Sequence, residues 1–437
     1  MAMPQAGEAE QEVIAHGTEA PTDADRQRIA MLLHGSYPLD ERVKREAEAL
    51  ADCGYEVDVI CLREHPEEEP ETVINGVRAV RVSKQRTRSD SKRKYVMDYA
   101  ASVTALGARL AMLHARHRYD LVQVHTLPDF LVFSALPAKL TGARVVLDIH
   151  DLMPELYLSK FSLPGDGRVV RMLRTLERMS TTFADHVITA SEAFQERLVE
   201  SGVPSEKITV VLNSPDPSVF PSPPALRLPG QGERFTVFWH GTMVDRYGVD
   251  LALRACALAR ERVPGLRFVL YGIGERSDDL RALATELGLD SFVEFRGHLH
   301  HTELAPEIAK ADVGIVPNRP DRHIDMAYPS KLFEFVQMGI PVVATRTKIL
   351  ERRFGEDSVV FCAPDASGLA DGLVWVYEHP VEARDRLARM RVICEPIAWE
   401  RVRLAYTGCI AATIGRPAPS LAGTGAHSAT RQESPAG

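Results

Sequence analysis

The chain has 437 residues, 45% apolar and 26% charged, with a formal charge of −8. That length suits two domains better than one core, and the acidic balance does not favour bulk attraction to nucleic acid. The six cysteines lack the close paired spacing of a zinc site or disulfide frame. No apolar run approaches the roughly 20 residues that span a bilayer, so a cytoplasmic protein is expected.

In chain order, residues 1–27 have almost no large apolar groups and read as a disordered tail. Arg28 to His34 is a short apolar strand, followed by the loop Gly35-Ser36-Tyr37-Pro38 and a helix with Val43, Ala47 and Leu50 on one face. Val57 to Leu62 returns as a strand, and Asn75-Gly76 makes a hairpin turn between Val73-Ile74 and Val77 to Val82. A helix from about Tyr95 to His117 precedes the strand Leu121 to Val124. Further strands are expected at Arg144 to Ile149, His186 to Ala190 and Ile208 to Leu212. Unbroken Val/Ile/Leu strands alternating with helices imply a parallel sheet covered on both faces, so 28–213 forms one Rossmann-like domain.

Residues 214–234 are proline-rich without periodicity and read as a stiff linker. The alternation restarts over 235–395, with strands at Phe235 to His240, Arg267 to Tyr271, Ser291 to Phe295, Asp312 to Val316, Pro341 to Thr345 and Ser358 to Phe361. Closing helices run to about Thr413, with Trp399 and Tyr406 as packing anchors, and 416–437 is a second disordered tail. Two such sheets place a cleft at the carboxyl ends of their strands.

The richest stretch is Tyr328 to Thr345, YPSKLFEFVQMGIPVVAT. Ser330 is a good N-cap, Gly339 supplies the C-terminal left-handed residue, and a buried strand follows. Such a helix start offers unpaired N–H groups and a positive dipole end to a phosphate. Lys331 adds a cation there, and Glu334, a turn further in, can accept two hydrogen bonds from a sugar diol. A solvated surface helix is the plain alternative.

Other candidates follow strand ends: Gly35, His125, His150-Asp151, Asn213, and His240-Gly241-Thr242 with Arg246 beyond. Each has a structural reading as a crowding-relief glycine or a satisfied core histidine. The His298, His300 and His301 cluster reads as a solvated loop, since it lacks a carboxylate at ligand spacing. The basic run Lys84 to Lys94 reads as a solvated loop, with peripheral contact to anionic lipid or a phosphorylated acceptor as a minority reading.

FWHGTMVDRYGVD, VEFRGHL, ADVGIVP and YPSKLFEFVQMGIPVVAT, in this order, resemble the C-terminal domain of glycosyltransferase family 4. DERVKREAEALADCGYEVDVICL, DLVQVHTLPDF, VVLDIHDLMPELY and ADHVITASEAF resemble its N-terminal half. The resemblance covers about Arg28 to Thr413. It implies a GT-B fold: two Rossmann-like parallel-sheet domains facing each other across a cleft, with a C-terminal helix over 396–415 crossing back to the N-domain. It also implies a retaining hexosyltransferase with an acceptor-binding N-domain and no required metal or cofactor. The implied partners are a nucleotide-sugar donor and a glycan, lipid-linked or small-molecule acceptor. By the same resemblance Glu334 falls on the donor ribose; Ser330, Lys331, Leu332 and Gly241 on the diphosphate; His150 near the donor sugar; and Asn213 at the domain junction. Thr242 and Tyr247 stand where the family has arginine and lysine, leaving Arg246 as the substitute cation. Gly35 and Gly297 are further expected donor contacts. Met326 replaces the first glutamate of the family's pair; neighbouring Asp325 is the expected stand-in, and Asp321 is near. A sugar-nucleotide epimerase and a catalytically weak partner subunit are the alternatives.

Overall fold

The computed structural model describes residues 27–85, 92–161 and 167–416. Both expected tails, apart from Gln27 and Arg416 at their inner ends, and the middle of the basic run lie outside them. Eight strands make the first sheet: β1 (Arg28–Leu33), β2 (Glu56–Arg63), β3 (Glu71–Ile74), β4 (Val77–Gln85), β5 (Leu121–His125), β6 (Arg144–Ile149), β7 (His186–Thr189) and β8 (Ile208–Val210). Their order is β3-β4-β2-β1-β5-β6-β7-β8, parallel throughout except for the β3–β4 hairpin. That hairpin turns on Asn75 and Gly76, both at positive φ, which a two-residue turn between twisted strands requires.

The second sheet contains β9 (Phe235–His240), β10 (Leu266–Tyr271), β11 (Val293–Phe295), β12 (Val313–Val316), β13 (Val342–Thr345) and β14 (Val360–Cys362). Its order, β11-β10-β9-β12-β13-β14, is wholly parallel. Both sheets reverse direction of growth beside their first strand, β1 next to β5 and β9 next to β12. Ligands sit at such switch points, beyond the carboxyl ends of the strands.

Several contacts hold the two units together. The closing helix Trp399–Ile414 leaves the C-domain and buries Val402, Tyr406 and Ile410, at i, i+4 and i+8, in the N-domain core with Val43, Ala47 and Leu50. Arg352 and Arg353 reach across to Glu196 and Glu192. Ser191 Oγ donates to the Met326 carbonyl at 2.7 Å. The proline-rich segment is not a free spacer: Phe220 is buried in the C-domain core, and a Cβ at Gly339 would lie 2.6 Å from Pro223.

The helix Ser330–Gln337 starts one residue earlier than the cap reading allows. Pro329 occupies the cap position and Ser330 is the first helical residue, making no side-chain cap bond. Proline fixes its own φ at the entry; the Leu332 N–H bonds back to the Pro329 carbonyl, which leaves the N–H groups of Ser330 and Lys331 without an intrahelical partner. This helix lies against β12 because Gly314 has no side chain; a Cβ there would meet the Phe335 ring at 2.3 Å. Gly314→Ala is therefore expected to overpack the contact and cost about 1–3 kcal/mol, read by denaturant unfolding. A variant as stable as the parent would mean that the helix moves freely on the strand.

Candidate active site

Two adjoining chambers of about 250 and 290 Å3 lie between the domains and share His150, Asn213, His301, Ser330 and Glu334. The first opens toward the helix Glu41–Asp52, with Arg42 and Arg45, and toward Asp216 and Phe220. The second is bounded by Gly241, Thr242, Tyr247, Lys331 and His323, with Asp151 and Phe194 on the N-domain side.

On the C-domain side, β9 ends at His240 and the chain turns at Gly241, φ +135°. Lys331, the second residue of its helix, reaches this turn. Its Nζ lies 4.7 Å from the Trp239 ring centre and 4.6 Å from that of Tyr247. The turn needs glycine for its positive φ, and a Cβ at position 241 would also stand 3.1 Å from that nitrogen. Lys331 is buried and forms no ion pair among the described residues; desolvation pushes its pKa down to about 8. Aromatic faces stabilise the ammonium without neutralising it, so its charge stays available to a ligand.

Glu334 follows one turn later, also buried, with Oε2 3.0 Å from His240 Nε2 but off the line of a hydrogen bond. Burial, the largest influence, acts to raise its pKa; His240, His301 and Lys331 outweigh it and hold the carboxyl at about 2. Burial pushes His240 below its ordinary value. A charged carboxylate therefore lines both chambers, with its Oε2 buried against His240.

On the N-domain side, His150 follows β6 and is held by Asp148. His150 Nε2 and His125 Nδ1 both lie 3.1 Å from Asp148 Oδ2. Arg42 forks onto the same carboxylate, Nη2 to Oδ1 at 2.8 Å and Nε to Oδ2 at 3.1 Å, and donates through Nη1 to Asn213 Oδ1 at 2.9 Å. Burial acts to lower the His150 pKa, but the Asp148 charge overcomes it and raises it. Behind this group the chain of contacts continues to the closing helix: Arg42 to Glu46 at 3.2 Å, Gln123 Nε2 to Glu46 at 2.7 Å, and Tyr406 Oη to Gln123 at 2.8 Å. The ligand atoms of His125, Asp148 and His150 lie within 4.8 Å of one another, a spacing a metal would accept. Arg42, however, already engages both Asp148 oxygens and places a fixed cation there. The donor set is a histidine–carboxylate network, not a metal centre.

Of the residues expected from sequence, His150, Asn213, Gly241, Thr242, Ser330, Lys331 and Glu334 come together around these chambers. Leu332 does not offer its backbone, because its N–H donates to the Pro329 carbonyl at 3.0 Å while its side chain is buried in the core. Gly35 and Gly297 sit outside the lining; the carbonyl of Gly35 accepts from Leu62 N, and that of Gly297 from Gly272 N. Arg246 is not in the chamber lining; its guanidinium lies 5.0 Å from the Tyr247 ring centre, and it helps to lower the pKa of His323, which burial already depresses. Asp325 is not a stand-in for the missing glutamate. It accepts from Lys348 N at 3.1 Å and faces the Lys348 ammonium at 3.3 Å. Met326 packs against the N-domain core.

Sequence reasoning missed Arg42, Arg45, Asp148, His301 and His323. Asp148 was the detectable one, a carboxylate inside the apolar strand VVLDI. His301 is no solvated loop residue: it lines both chambers and faces Phe220.

Residues 39–214 match the family model of the glycosyl transferase 4-like domain, and residues 234–379 that of glycosyl transferases group 1. The chain is 26% identical over 384 residues to the glycogen synthase of Mycobacterium tuberculosis, covering 84% of this chain and 89% of that one. Sucrose-phosphate synthase from Thermosynechococcus elongatus superposes with a TM-score of 0.69 at 20% identity, covering 89% of this chain and 100% of that one. Anabaena HepE in complex with UDP-glucose superposes with a TM-score of 0.63 at 16% identity, with the same coverage. Two facing parallel-sheet domains and the crossing helix define the GT-B class. With both halves matching transferase families, the chain belongs to the GT-B glycosyltransferases.

Proposed function

We propose that the protein moves a hexose-type sugar from a nucleoside diphosphate to a glycan, lipid-linked or small-molecule acceptor, with retention at the anomeric carbon. One observation carries the reading. An open helix N-terminus, the Lys331 ammonium, the close Gly241 turn and the Glu334 carboxylate converge on one chamber. In it the diphosphate lies between Gly241, Ser330 and Lys331, and the ribose diol donates to Glu334. HepE, solved with UDP-glucose, has the same fold.

As the glycosidic bond to the phosphate lengthens, negative charge gathers on the leaving oxygen. Lys331 and the helix dipole meet that charge, so the reading requires no metal ion. The acceptor hydroxyl attacks from the face the phosphate leaves, and the departing phosphate takes its proton, which dispenses with a protein base. His150, oriented by Asp148 and Arg42, is placed to donate to a sugar hydroxyl.

Thermal melting with UDP, GDP, ADP and dTDP, alone and as sugar conjugates, tests the reading. One nucleotide is expected to raise the melting temperature, with the shift lost in Glu334→Ala. No shift with any nucleotide at millimolar concentration would sink it. Binding with turnover of the donor and no acceptor would point to an epimerase, and binding without turnover to a partner subunit.

A further inference from the structure

The helix Arg168–Phe183 buries Val170, Leu173, Glu177 and Ser180, a single inward stripe. Its outward side carries Arg168, Arg171, Arg174 and Arg178 beside Val169, Met172 and Met179, which are 48%, 55% and 53% exposed. Glu177, the helix's own acid, is turned inward to Arg197, 3.5 Å away. Among the described residues, none of the four arginines has a carboxylate at ion-pair distance. A solvated helix face ordinarily mixes both signs. Here a chain of net charge −8 presents four positive charges and no negative one on a single face.

Arginines alone would suit any polyanion. The apolar side chains interleaved with them decide the partner, because a polyanion has no use for exposed methionine and a bilayer interface does. Beside it, the helix Leu136–Leu140 has both end residues exposed; its Lys139 donates to the Phe183 carbonyl at 2.8 Å and pairs with Asp185 at 2.8 Å, so this helix extends the apolar part of the patch and not its free charge.

We propose that this face docks the enzyme on an anionic phospholipid surface, with the arginines on headgroups and Val169, Met172 and Met179 in the interfacial layer. The preceding helix, Met153–Phe161, begins two residues after Asp151 in the chamber wall; its nine residues span about 13 Å. The proposal stands apart from the donor reading, because vesicle binding is measured without turnover.

The test is co-sedimentation of the full chain with vesicles of phosphatidylcholine, with and without phosphatidylglycerol. The wild type is expected to bind only the anionic vesicles, and less at high salt. Arg171→Glu/Arg174→Glu should lose more than about tenfold of that binding. Met172→Ser/Met179→Ser should lose about three- to tenfold, a loss that persists when salt screens the charges. All four positions are exposed, so the melting temperature should not move; Arg171→Gln/Arg174→Gln is the gentler charge variant if it does. The proposal is overturned if the wild type ignores anionic vesicles or if the arginine variants bind like it. It is equally overturned if the methionine variant binds unchanged while dextran sulfate competes, which would make the face a general polyanion site.

Discussion

Lys331→Met is expected to lower turnover by about 10²- to 10³-fold, the scale of removing one preorganised charge from a developing oxyanion. Methionine keeps much of the stem between Trp239 and Tyr247, so the fold should survive and the loss should fall on kcat. Rapid-quench measurement of the first turnover separates it from slow product release. The same lysine sets a pH dependence whose sign is fixed. Burial lowers its pKa from 10.5 to about 8 in the free protein. Between pH 8 and 10.5 the unfolded chain therefore binds more protons than the native one, and this group makes the apo protein more stable as pH rises. A bound diphosphate favours the charged form, so nucleotide affinity should fall as pH climbs through about 8, by up to about tenfold per unit. Affinity flat from pH 7 to 10 would remove Lys331 from the phosphate site.

The stretch from Tyr328 to Thr345 was legible because its chemistry is local. Pro329, Lys331 and Glu334 lie within a turn and a half of one helix, and helical spacing alone puts them side by side. The sheets were legible for the same reason, since strands buried on both faces are continuous runs of Val, Ile and Leu. The N-domain half of the site was legible only in part: His150 and Asn213 stand out at strand ends, but Arg42, Asp148 and Tyr406, which hold that half together, are scattered over most of the chain, and only the folded sheet and the crossing helix assemble them. A buried arginine on an amphipathic helix looks, in sequence, like a solvated one. Asp325 shows the converse error: adjacency to the expected position suggested a replacement, but at that point the loop turns its carboxylate to Lys348.

Glu334 is where the donor reading meets its hardest test. Glu334→Ala should raise the dissociation constant for the cognate nucleoside diphosphate about 10²- to 10³-fold, the loss of two hydrogen bonds to a charged acceptor. The effect has two sources, which can be separated. Glu334 contacts His240 and, through its charge, supports the proton on Lys331. Its removal should therefore move the alkaline limb of nucleotide binding below pH 8. The ribose contact itself is read with a 2′-deoxynucleoside diphosphate, on wild type and variant, as a double-mutant cycle. The wild type should bind the deoxy ligand about tenfold more weakly than the ribose form, and the variant should bind both alike. If the deoxy penalty persists in the variant, the diol is held elsewhere, and Glu334 acts on the nucleotide only through the charges of His240 and Lys331.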